Sequence, residues 1–138
     1  MIEICGEKYT KDEARMMNPL VLAYIGDTVF DLFVRTSLLK SGKAGKLHNM
    51  AAKRVCAKAQ AETVRKIMDK LSEEENEIFI RGRNAKSNTV PKNAAVADYH
   101  MASGFEALVG YLYLTGNDER LKEIMHYVTE EEIADCER

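Results

Sequence analysis

Between Asn18 and Leu39 the chain reads NPLVLAYIGDTVFDLFVRTSLL, a helix-length segment that is apolar nearly all the way round. In a soluble protein such a helix is covered by its neighbours, so this segment fixes the centre of the fold. Asn18 followed by Pro19 supplies a cap and a proline at the first helical position, which sets the start near Pro19 and the end near Leu39. Other helices must surround it. Thr10 with Glu13 makes a capping box for a short first helix, and Ser72 with Glu75 makes another for a helix running to about Ile80. SGKAGK, residues 41–46, reads as a loop. From Leu47 to Leu71 the pattern predicts one long helix, with Val64, Ile67, Met68 and Leu71 on one face and Arg54, Lys58 and Arg65 on another. RGRNAKSNTVPKN, residues 81–93, is punctured by glycine, asparagine, serine and proline and reads as a loop. A helix from about Ala94 to Leu114 should end at Gly116, and Asn117 with Asp118 should open a last one reaching about Ala134. Strand signals are nearly absent after IEICG. The expectation is an all-α helical bundle forming one domain over residues 1–138, long enough to bury a core of its own.

Within this frame two carboxylates lack local partners. Asp31 has Arg35 four residues on, an ordinary helix-surface pair. Asp27 has Ala23, Tyr24, Phe30 and Asp31 at the helical neighbour positions, none of them a cation. Glu106, in MASGFEALVGYLYL, has Ala102, Ser103, Val109 and Gly110. Burying an unpaired carboxylate is costly, so both charges need an answer from elsewhere. If the two acids face one another, a divalent cation supplies it. Otherwise each meets a backbone amide or an arginine from another helix. Gly26, Gly104 and Gly110 lie beside these acids and each costs about 1 kcal/mol of helix propensity relative to alanine, so they mark close approach of a ligand or of a neighbouring backbone.

The formal charge of −2 conceals a segregation. Leu32 through Ala61 contains no acid but seven basic residues: Arg35, Lys40, Lys43, Lys46, Lys53, Arg54 and Lys58. Arg81 through Ala97 is also acid-free and carries Arg81, Arg83, Lys86 and Lys92. The acids gather in SEEENE and EEEIADCER. One surface therefore suits a polyanion and another repels it, although a plain solvated mixture of charges gives the same counts. No apolar run reaches the about 18 residues that a membrane span needs, so no membrane association is expected. Cys5, Cys56 and Cys136 are odd in number and far apart, which points to a reducing cytoplasm. With His48, His100 and His126 scattered as well, a zinc site is not expected.

LAYIGDTVFD and FEALVGYLYL together resemble the two acidic helices of the ribonuclease III family, where L-E-F-L-G-D and D-x-x-E-A-L patterns present metal-binding acids. RGRNAKSNTVPKN resembles a loop of that family's short bacterial branch. The resemblance covers about Asn18 to Leu114. It places Asp27 on the signature aspartate and Glu106 on the distal glutamate, whereas Leu20, Ala23 and Ser103 stand where the family pattern has acids.

What the resemblance implies is an Mg²⁺-dependent endoribonuclease that hydrolyses double-stranded RNA to 5′-phosphate products. Asp27 and Glu106 would be its catalytic and metal-binding pair, with Ser103 and Glu62 as accessories. It further implies a symmetric homodimer, one centre for each strand, acting on the large-subunit (23S) ribosomal RNA precursor. An A-form duplex is recognised through its shape, phosphates and 2′-hydroxyls, and Arg54, Lys58, Arg65, Arg81, Arg83, Lys86 and Lys92 are assigned to that contact. No appended double-stranded-RNA-binding domain is expected. The nuclease domain and its loop then bind the duplex, or a large-subunit ribosomal protein presents it. The alternative is a helical ribosome-associated binding protein without the chemistry, for which Ala23 and Ser103 are the argument.

Overall fold

The computed structural model describes residues 8–40, 42–85 and 95–130, with side chains to residue 127. The described residues fold into helices α1 (Lys11–Arg15), α2 (Pro19–Leu38), α3 (Ala44–Val55), α4 (Ala57–Ile67), α5 (Glu73–Asn84), α6 (Val96–Leu114) and α7 (Asp118–Glu130), with a 3₁₀ turn at Met68–Lys70. They contain no strand. Local sequence chemistry sets most of the boundaries. Thr10 and Glu13 form a reciprocal capping box, as do Ser72 and Glu75, and the Asn18 side chain accepts from the Leu20 amide at 2.8 Å. At the end of α6, Gly116 takes φ +70°. The Gly116 and Asn117 amides donate back to the Tyr113 and Leu112 carbonyls at 3.1 and 3.0 Å, the left-handed closure that favours glycine there.

Helices α2 and α6 cross at the centre, and α4 and α5 pack on α6. Phe30 of α2 meets Phe105 of α6 edge-on at 5.1 Å between ring centroids, and Leu22, Phe79, Leu108, Leu112, Leu121 and Ile124 fill the space around them. The crossing is a backbone contact. A Cβ added to Gly26 would stand 1.8 Å from the Glu106 carbonyl oxygen, and one added to Gly110 would stand 2.0 Å from that of Leu22. Each helix thus presents a glycine to a carbonyl of the other. Gly104 instead admits Phe79 of α5.

Several expectations need correction. The long helix over 47–71 is two helices, because Cys56 is extended (φ −68°, ψ 158°), and it starts earlier, at Ala44, inside the expected loop. It also closes at Ile67, so Met68 turns outward while Val64 and Ile67 stay buried. Helix α5 runs on to Asn84, so Arg81 and Arg83 are helical and not part of a loop. Finally, α2 is not covered all round: Val21, Tyr24 and Leu32 are exposed, Tyr24 by 80%. Cys56 is disulfide-bonded, a pairing that the odd number and wide spacing of the cysteines do not signal. Among the described residues no helix is long and apolar enough to cross a membrane.

Candidate active site

The glycine-to-carbonyl crossing places position 27 of α2 directly beside position 106 of α6. The two carboxyl groups lie within hydrogen-bonding reach of one another. Their settings differ from the expectation of two embedded acids: Glu106 is half-buried, while Asp27 is exposed. Asp27 opens onto a cavity of about 270 Å³ whose walls include Asp31, Arg35, His48, Ala52 and Val55. Asp31 and Arg35 pair within the helix at 3.0 Å, as their spacing predicts.

Burial, followed by the hydrogen bond and the charge of Asp27, pushes the Glu106 carboxyl up to about 9, against an opposing pull from the Gln60 amide. No cation is among the groups that set its charge. Glu106 therefore holds a proton at neutral pH, and the proton is what lets two carboxyls sit together. A divalent cation can take its place. Oxygen donors suit magnesium, which keeps several waters and is typically held by one or two carboxylates plus substrate phosphates. The donor set fits such a site.

Other expected site residues are placed as follows. Ser103 lies one turn before Glu106 on α6 and is buried. Glu62 is half-buried on α4, but no group of three or more potential metal ligands forms among the described residues, so Glu62 does not join the pair. Arg54 ends α3 and Lys58 begins α4, on either side of the break at Cys56, and the single basic face expected for Arg54, Lys58 and Arg65 is divided. Arg65 pairs with Asp98 at 3.1 Å. Arg81 donates to the main-chain carbonyls of Arg15 and Met17 at 2.5 and 3.1 Å, tying α5 to the α1–α2 connection. Arg83 donates to the Asn84 side chain at 3.3 Å. Lys86 and Lys92 lie outside the described residues.

One residue of the centre has no place in the sequence reading. Gln60 of α4 is 2% exposed, and its side-chain nitrogen donates to Glu106 Oε2 at 3.4 Å and to the Val55 carbonyl at 2.9 Å. A sequence signal for it exists: Gln60 shares a helical face with Val64 and Ile67, a polar side chain on an apolar stripe.

Two acids on crossed apolar helices of an all-helical domain define a class, and comparison with known proteins names it. Residues 20–117 match the model of the family described as "Ribonuclease III domain", so the chain belongs to the ribonuclease III family and is an RNA endonuclease. Its similarity runs to the short branch of that family. A protein of Clostridium tetani named "Mini-ribonuclease 3" is 52% identical over 126 residues, covering 89% of this chain and 83% of that protein. One of a Thermoanaerobacter species with the same name is 53% identical over 121 residues, covering 86% and 85%. A Fusobacterium nucleatum protein solved by X-ray crystallography superposes with a TM-score of 0.77 at 32% identity, covering 84% of this chain and 94% of that one.

Proposed function

We propose that Asp27 and Glu106 hold Mg²⁺ and that the chain hydrolyses double-stranded RNA in the cytoplasm, leaving 5′-phosphate ends and maturing the ends of the large-subunit (23S) ribosomal RNA precursor. The observation that carries this reading is the carboxyl pair at the α2–α6 crossing, where burial and then the neighbouring Asp27 keep Glu106 protonated and no cation is among the groups that set its charge. When bound, magnesium supplies Lewis-acid polarisation of the phosphate and an activated water for attack on phosphorus. Glu106 would give up its proton to serve as a ligand, and Asp27, exposed at the surface, would be the second carboxylate of the site. The Ser103 hydroxyl is an accessory donor one turn away. His48 lines the same cavity as Asp27.

Duplex binding falls to the nuclease domain itself. Arg54, in the last turn of α3, and Lys58, in the first turn of α4, lie on either side of the helix break at Cys56 and are assigned to phosphate contact. Arg65, Arg83, Lys86 and Lys92 extend the contact, and a large-subunit ribosomal protein serves to present the substrate. Arg81 is withdrawn from this set because its guanidinium is taken up by main-chain carbonyls. Cutting both strands needs two centres in fixed relation, and family members act on double-stranded RNA and are generally dimeric. The uncovered stripe of α2, Val21, Tyr24, Thr28 and Leu32, follows one helix face beside Asp27 and suits a twofold contact with a second copy.

The test is incubation of the protein and its Asp27→Asn form with a short RNA duplex in Mg²⁺. Cleavage by the parent alone is expected. Retention of the duplex without cleavage by either form would make this a binding protein, and equal cleavage by both would remove Asp27 from the site.

A further inference from the structure

We propose that Gln60 is a positioning residue for Glu106, held by the break between α3 and α4 so that the donor end of its amide points at the metal-binding carboxylate. This rests on the reading of Asp27 and Glu106 as a metal site. The geometry begins with Cys56. Its extended backbone interrupts the helix and leaves the Val55 carbonyl without the partner that a continuous helix would give it. The Gln60 Nε2 takes that carbonyl at 2.9 Å, while the Gln60 main-chain amide donates to the Cys56 carbonyl at 3.0 Å. An acceptor that can only be met by N–H thereby decides which end of the side-chain amide faces inward. The same nitrogen reaches Glu106 Oε2.

The opposite end of the amide shows that this orientation is not a matter of packing. Gln60 Oε1 is buried with no hydrogen-bond partner. Rotating the amide would turn that oxygen against the Val55 carbonyl, which only accepts, so the present orientation is the better of the two and still leaves an acceptor unmet. An apolar side chain of the same length would fill the space without that penalty. What the glutamine adds is a hydrogen bond that fixes the Glu106 carboxylate, and groups that orient a metal ligand in this way typically change metal affinity 10–100-fold when removed.

The test uses Mn²⁺ binding to the RNA-free protein by calorimetry, alongside the Mg²⁺ dependence of duplex cleavage, for Gln60→Met, Gln60→Asn and Glu106→Gln. Met removes both polar ends, and Asn keeps an amide too short to span Val55 and Glu106. Both Gln60 variants should weaken Mn²⁺ binding about 10-fold or more and raise the Mg²⁺ concentration for half-maximal cleavage in proportion, with kcat at saturating Mg²⁺ falling less. Melting curves report the fold. Mn²⁺ affinity within twofold of the parent in the folded variants would overturn the proposal, as would a loss of kcat at every Mg²⁺ concentration with half-saturation unmoved. Glu106→Gln separates the two levels: if it loses Mn²⁺ while the Gln60 variants keep it, only the role of Gln60 falls. If Glu106→Gln itself binds like the parent, the metal site falls with it.

Discussion

Glu75 and Glu106 are both glutamates set into helices against the core, and they are treated in opposite ways. Glu75 is 6% exposed, and burial alone would raise its pKa. Arg120 grips it with Nε and a terminal nitrogen at 2.7 and 2.9 Å, and the Ser72 amide donates to it at 2.8 Å. The net result holds Glu75 below the usual carboxylate range. Arg120 also reaches the Lys70 carbonyl at 2.7 Å and Glu123 at 2.9 Å, joining the 3₁₀ turn, α5 and α7. Glu106 meets another acid instead of a guanidinium and is held well above that range. Buried charge by itself does not mark function; a buried charge left unanswered by the fold does.

The contrast can be broken from either side. The largest effect is expected at the site, where Glu106→Gln should slow duplex cleavage about a thousandfold or more, roughly 4 kcal/mol in the barrier, as measured by single-turnover assays. Residual activity near the parent's would remove Glu106 from the chemistry. Next, Arg120→Met should destabilise the fold by about 3 kcal/mol, because it strands Glu75 without its partner; urea melts check this, and a neutral result would show Glu75 to be solvated. Gly110→Ala tests the crossing that creates the contrast. Its Cβ would overlap the Leu22 carbonyl, and a loss of about 2–3 kcal/mol is expected, with cleavage falling in the folded fraction as well.

The smallest effect is on pH dependence. Glu106 binds a proton in the folded metal-free protein up to about pH 9 and in the unfolded chain only up to about its ordinary value of 4.5. In that window the folded state carries more protons, so metal-free stability should decline as pH rises through it. Glu75 acts in the opposite sense, its contribution fading as pH falls through its depressed folded value. Saturating Mg²⁺ should flatten the Glu106 slope and release close to one proton per site near pH 7, read by calorimetry in buffers of different ionisation enthalpy. Binding without proton release would show that Glu106 is already ionised.

Much of this was legible in the sequence because it is local. Capping at Thr10, Asn18 and Ser72 depends on side chains two or three residues away, and so did the recognition that Asp27 and Glu106 lacked a cation within a helical turn. What escaped depends on contacts across the fold. Residues 47–71 contain neither proline nor glycine, so nothing local signals the break at Cys56. Gly82 reads as a helix breaker, yet it lies within α5 where Ala107 of α6 leaves no room for a Cβ. Periodicity gave α2 an apolar circumference but not which flank stays uncovered, and so the exposure of Asp27 was missed. The Glu75–Arg120 grip joins residues 45 apart, beyond any pattern in spacing.

The reciprocal seating of Gly26 and Gly110 on each other's helix has a consequence for how this protein tolerates change. The gap between Asp27 and Glu106 is gauged by main chain resting on main chain, which no substitution among the surrounding leucines and phenylalanines can lengthen or shorten directly. The oily interior is thus at liberty to drift over generations while the jaws of the enzyme keep their calibre, and only the two smallest residues at the pivot are denied that latitude.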